Sequence, residues 1–203
     1  YFVEKHDERR ELFEKLAELY RPKKAIYPGS FVHITPSFYI GDMTYIDSDR
    51  RVSKFFADDN VLPYIRENKS FEGEPSISGI QADYSDKLPI EKEAFDMMFS
   101  FYAGFISQSC KKYLKQSGVL VCNNSHGDAS IAFIDQDYEL IGVIKRNGAN
   151  FNITEKDLDT YFIKKDGSPI DKAKVERKMI GENFTKKGYA YIFKYNGSLK
   201  KFR

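Results

Sequence analysis

The stretch that decides the fold runs from Lys23 to Phe56 and reads KKAIYPGSFVHITPSFYIGDMTYIDSDRRVSKFF. An apolar strand, Ala25-Ile26-Tyr27, turns at Pro28-Gly29-Ser30. A second strand, Met43 to Ile46, ends on Asp47, and a helix-like segment follows from Asp49 to Phe56. A glycine turn closing one strand and a carboxylate at the tip of the next, about 20 residues on, is the layout of a nucleoside-cofactor site in a doubly wound sheet. The glycine part is sparse: Gly29 stands alone where such loops usually carry two or three glycines.

Before this stretch, Leu12, Phe13, Leu16, Leu19 and Tyr20 fall on one face of a helix expected over Tyr1 to Tyr20 and ended by Arg21-Pro22. Phe31 to Ile40 reads as a loop with a short helix, and Ser48 or Asp49 as the cap of the helix after the second strand. Further strands are expected at Pro75–Asp83, Phe95–Ser100, Val119–Asn123 and Tyr138–Ile144. Helices are expected over Asn60–Asn68, over Gly104–Leu114 (closed by Gln116-Ser117-Gly118) and from Asp128 through Ile134. This alternation implies right-handed crossovers and a parallel sheet covered on both faces. Residues 147–187 break the rhythm with a turn at Asp166-Gly167-Ser168-Pro169 and helical stretches near Thr154–Phe162 and Asp171–Ile180. A last strand, Tyr189 to Tyr195, closes the chain. The reading is one domain over residues 1–203, with an N-terminal helix in 1–22 and an insertion at 147–187.

Composition narrows the classes. With 17 Phe and 14 Tyr among 203 residues, the rings must largely be buried, which argues for a packed domain over a disordered chain. A net charge of +2 does not make a nucleic-acid binder, and the lysines toward the C-terminus (Lys186-Lys187, Lys194, Lys200-Lys201) read first as a solvated basic face. Cys110 and Cys122 lie in apolar segments and read as reduced core residues; with only three His, no metal site is expected. No run approaches the length of a membrane span and the N-terminus is charged, so the expectation is a cytoplasmic protein with no membrane partner.

Six alternating strands, a longer excursion and a final strand resemble the class I S-adenosylmethionine-dependent methyltransferases. The resemblance implies an α/β, three-layer Rossmann-like sandwich. Its sheet has seven mostly parallel strands, the last inserted antiparallel beside the fifth. It also implies S-adenosylmethionine as cofactor and a small-molecule or otherwise unknown methyl acceptor as partner. By position, the family's glycine loop falls on Tyr27-Pro28-Gly29-Ser30-Phe31. The acid that binds ribose falls on Asp47, the acid facing adenine on Asp83 with Tyr84 beside it, and the catalytic end of the fourth strand on Ser100-Phe101-Tyr102. The chain departs from the family in lacking the first-strand acid and the glycine triplet.

Each position has a plain structural alternative. Asp47 caps the next helix or binds ribose; Gly29 is a turn glycine or part of the cofactor loop; Asp83 ends a strand in a turn or meets adenine. His33, in the loop above the sheet, is a cofactor contact or general base, or else holds a structural hydrogen bond. His126, in Asn123-Asn124-Ser125-His126-Gly127-Asp128, is substrate-side or part of a capping loop. Tyr27 and Tyr102 edge the pocket or pack in the core. The leading functional expectation is a methyltransferase with Tyr102 or His126 toward substrate. The second is a non-catalytic binding module on the same fold, favoured by the sparse loop. The third is an NAD(P)-dependent oxidoreductase, for which the loop supplies little pyrophosphate cradle. Oligomeric state is left open.

Overall fold

The computed structural model describes residues 9–197. The part of the N-terminal helix expected before Arg9, and Lys200-Lys201, lie outside the described residues. Helix α1 spans Arg10–Tyr20 and buries Leu12, Phe13 and Leu16. Leu19, expected on the same face, is half exposed. The helix ends where Arg21 turns left-handed (φ 47°) and donates its N–H to the Ala17 carbonyl.

One eight-stranded sheet follows, formed by β1 (Lys24–Pro28), β2 (Asp42–Asp47), β3 (Ser76–Gln81), β4 (Phe95–Ser100), β5 (Leu114–Cys122), β6 (Tyr138–Asn147), β7 (Asn150–Thr154) and β8 (Ala190–Tyr195). Their order is β3-β2-β1-β4-β5-β8-β6-β7. The first five neighbours pair in parallel. Strand β8 inserts antiparallel between β5 and β6. The order reverses between β1 and β4, which is where open α/β sheets bind ligands at the carboxyl ends of their strands.

Strand alternation builds the layers. Ala25, Tyr27, Met97, Phe99, Val119 and Val121 point to one face, into a core shared with α1, α2 (Arg51–Phe56) and α3 (Val61–Asn68). Ile26, Met98, Leu120 and Cys122 point to the other, under α4 (Ile106–Ser109) and α5 (Asp128–Ile134). The three-layer sandwich is as expected.

Three expectations are corrected. The strand count is eight rather than seven, because residues 147–187 begin with β7: Asn147 pairs with Asn150 across a tight turn, and Phe151 is buried beside the sheet. The helix expected over Gly104–Leu114 is only the single turn α4 plus a 3-10 turn at Lys111–Tyr113. Leu114 already pairs with Phe95, and Gln116-Ser117-Gly118 is an irregularity inside β5, with Ser117 at φ 65°, before Val119 resumes opposite Met97. Pairing with the β4 edge outweighs local helix preference there. Between β7 and α6 (Lys172–Lys178), the helix expected near Thr154–Phe162 is a 3-10 segment, Leu158–Phe162.

Candidate functional site

The loop after β1 is spent on the protein itself. Pro28 has no N–H. The Gly29 and Ser30 amides both donate to the Ile46 carbonyl, at 2.7 and 3.3 Å, and the Phe31 amide donates to Asp47 Oδ2 at 2.8 Å. Gly29 is left-handed (φ 71°), and a Cβ there would lie 2.5 Å from the Ala103 Cβ, so the β1 and β4 loops touch. The chain then runs to a 3-10 turn, Thr35–Phe38, so the element that follows Gly29 is not an α-helix.

Tyr27 and His33 lie beneath this loop, not in it. Both are buried, with Tyr27 Oη 3.4 Å from His33 Nδ1 and the imidazole against the Phe13 ring. Arg9 Nη1 reaches the same tyrosine hydroxyl, and its guanidinium lies over Phe101 and Tyr102. Ser30 is buried and donates its hydroxyl to the Phe31 carbonyl.

Asp47 sits at the β2 tip as expected. Besides the Phe31 amide it accepts the Asp49 N–H at 3.0 Å through Oδ1. Neither Ser48 nor Asp49 is the N-cap of α2: that position is Arg50, which makes no side-chain cap bond, while Asp49, one residue earlier, accepts the Arg51 N–H at 2.9 Å. The Arg51 guanidinium holds the Asp49 carboxyl down to about 2 and stacks on the Phe31 ring. Asp83 is exposed, and hydrogen bonds from the Ser85 amide and hydroxyl keep its carboxyl low. Tyr84 reaches across instead: its hydroxyl accepts the Gly104 N–H at 3.2 Å, tying the β3 loop to the β4 loop.

At the β4 tip, Ser100 turns inward and donates to Asp128 Oδ2 at 2.6 Å, while Asp128 Oδ1 accepts the Ser107 N–H. Burial raises the Asp128 carboxyl to about 6, against those hydrogen bonds. Tyr102 is the exposed group of this edge (56%), left-handed at φ 58° and anchored by its N–H to Asn123 Oδ1. A bulky residue at positive φ is strained, and such strain collects at binding sites. His126 is half-buried, its Nδ1 3.1 Å from the Ser125 hydroxyl.

The excursion returns over these tips. A Cβ on Gly181 would lie 2.1 Å from the Asn124 carbonyl oxygen, Val175 packs on Gly127, and the Met179 methyl approaches Gly104. Beneath this strap is a pocket of about 570 Å³ bounded by Tyr102, Asn123, Asn124, Glu182, Lys187 and Tyr189. Burial pushes the Tyr189 hydroxyl up to about 12. Residues Glu182, Lys187 and Tyr189 were not singled out as site residues, because only the antiparallel return of the chain brings them to the β4 and β5 tips. A larger cleft of about 640 Å³ lies between α1 and the β6–β7 turn; there Arg10 bonds Tyr39 Oη and Arg146 lies over Phe151 and Tyr189. Among the described residues, no group of three or more His, Cys, Asp or Glu is placed to hold a metal ion. None of their helices is long and apolar enough to cross a membrane.

No protein-family model matches the chain, and no curated protein matches it in sequence. Solved structures do match its fold. A protein from Klebsiella pneumoniae described as a candidate O-methyltransferase aligns over 71% of this chain and 76% of its own, at 10% identity and a TM-score of 0.50. The O-methyltransferase TomG from Streptomyces achromogenes, solved with SAM, aligns over the same 71% and 76% of its own chain, at 14% identity and a TM-score of 0.47. The fold is that of the class I S-adenosylmethionine-dependent methyltransferases.

Proposed function

We propose that the protein is an S-adenosylmethionine-dependent methyltransferase acting on an acceptor in the pocket behind Tyr102. The observation that carries this reading is Asp47: an acid at the β2 tip, beside the β1 loop, one strand from the point where strand order reverses. A carboxylate offers about four lone-pair positions, and two accept backbone N–H groups here. The remaining two suit the cis-diol of a ribose. The methionine end fits less well, since the amides of Gly29, Ser30 and Phe31 are already used. The Gly29–Ala103 contact and the Tyr84–Gly104 bond must part to admit a nucleoside.

Bound S-adenosylmethionine supplies an electrophilic methyl group on a sulfonium. The chain's part is then chiefly alignment. Asp47 orients the ribose. Tyr102 and Tyr189 line the pocket, and His126, which follows the pocket-lining Ser125, is the candidate to take a proton from an acceptor.

The closed cleft favours a second reading, a binding module on a methyltransferase fold. An oxidoreductase reading lacks support in the geometry: pyrophosphate binding wants a helix N-terminus after β1, and a 3-10 turn stands there. Isothermal titration with S-adenosylmethionine and S-adenosylhomocysteine separates the first two. Binding that is lost in Asp47→Ala supports the methyltransferase. Absence of heat with both, in protein verified as folded, leaves the binding module.

A further inference from the structure

The pocket behind Tyr102 has a floor of hydrogen-bond donors. Asn123, only 6% exposed, turns Oδ1 inward to accept the Tyr102 N–H at 3.3 Å, the Ser125 N–H at 3.4 Å and the Ser125 hydroxyl at 2.9 Å. Asn124 does the same, its Oδ1 accepting the Ser130 N–H and hydroxyl, both at 2.9 Å. A backbone N–H can only donate, so each oxygen must face inward and each NH₂ must face away from those donors. Both residues line the pocket, and neither NH₂ has a partner among the described residues. Lys187 stands exposed at the same pocket, and its ammonium is likewise without a partner among them.

The acid of the pocket is already compensated. Glu182 is nearly buried, with Lys174 Nζ 3.4 Å and Lys164 Nζ 3.6 Å from its Oε1. The donors left at the pocket are thus the two amide NH₂ groups, of which that of Asn124 lies against Gly181, and one ammonium, with the exposed Asn183 amide at the rim. The Tyr102 and Tyr189 rings and buried Phe184 supply apolar wall. A pocket of this volume suits a small molecule.

We propose that this pocket recognises a small aromatic monocarboxylate, its carboxylate held by Asn123 Nδ2, Asn124 Nδ2 and Lys187 and its ring lying among the tyrosines. One ammonium balances one negative charge, and paired N–H donors match the two oxygens of a carboxylate. The role of this acid as methyl acceptor rests on the function proposed above; its recognition does not.

The test uses benzoate, with benzamide as neutral isostere and inorganic phosphate as the competing oxyanion, titrated into ¹⁵N-labelled protein. Benzoate is expected to move the side-chain NH₂ resonances of Asn123 and Asn124 and to bind at least tenfold more tightly than benzamide or phosphate. Asn123→Asp keeps the inward acceptor but replaces the donor with a charge, and should weaken benzoate at least tenfold while sparing benzamide. Lys187→Gln, on an exposed side chain, should weaken benzoate severalfold without touching the fold. Equal binding of benzoate and benzamide, tighter binding of phosphate, or indifference to both substitutions overturns the proposal. S-adenosylmethionine titrated into the same samples keeps the two ideas apart. Cofactor binding without benzoate sinks this inference alone, and benzoate binding without cofactor sinks the methyltransferase reading alone.

Discussion

Gly29→Ala separates a glycine needed by a cofactor from one needed by the fold. At φ 71° an alanine sits in left-handed space, which costs roughly 1–2 kcal/mol. Its Cβ would also lie 2.5 Å from the Ala103 Cβ, an overlap that real Cβ atoms do not tolerate. Forcing a methyl into a filled site costs roughly 1–3 kcal/mol more. The expected loss is therefore about 2–5 kcal/mol, read from urea unfolding at constant m-value. The two parts can be resolved. In an Ala103→Gly background the nearest remaining atom is the Ala103 Cα at 3.7 Å, an ordinary contact, so only the backbone cost should persist. The double-mutant cycle should return a coupling of about 1–3 kcal/mol. Additive effects, or a Gly29→Ala protein as stable as the parent, would refute the claim that this loop is closed against β4 and would point to a glycine kept free for a ligand.

Three further outcomes follow from the same geometry. Tyr84→Phe removes the hydroxyl that ties the β3 loop to Gly104; losing a bond of about 1 kcal/mol from the closed form should tighten S-adenosylmethionine about fivefold by calorimetry, and unchanged or weaker binding contradicts the latch. Asp128 keeps its proton to about 6 in the folded state against an ordinary 3.8, so the folded protein binds more protons than the unfolded chain between those values, and stability falls as pH rises through them, by about 3 kcal/mol from this group. The stability difference between the parent and Asp128→Asn should therefore change across pH 4 to 6; a flat difference rejects the assignment. Gly181→Ala places a methyl 2.1 Å from the Asn124 carbonyl oxygen and should lift the strap, with a loss of roughly 1–3 kcal/mol and faster amide exchange over residues 179–189; unchanged exchange there argues against the contact.

Much of this was legible in the chain because it depends on local pattern. The strand at Phe95–Ser100 was read with its observed bounds, since the contiguous apolar run Met97-Met98-Phe99 must be buried on both faces. Asp47 was legible as a strand-tip acid. The β7 hairpin was missed although its pattern is local: Asn147-Gly148 is a turn signal, with Gly148 at φ 62°, and Asn150 to Thr154 alternates polar and apolar residues with Phe151 buried. The short α4 was misread as a full helix because Leu114 owes its conformation to Phe95, distant in sequence.

Element order, two-faced burial and the acid at the β2 tip could be read from the chain, since each follows from patterns over a few residues. What those residues touch depends on how distant segments pack. Gly29 looked like an opening for a ligand and meets Ala103; Ser100 looked like a catalytic edge and faces buried Asp128. Lys187, far along the chain from the adjacent Asn123 and Asn124, shares one pocket with them because β8 returns antiparallel beside β5. Long-range pairing sets such neighbours, and no local propensity encodes them.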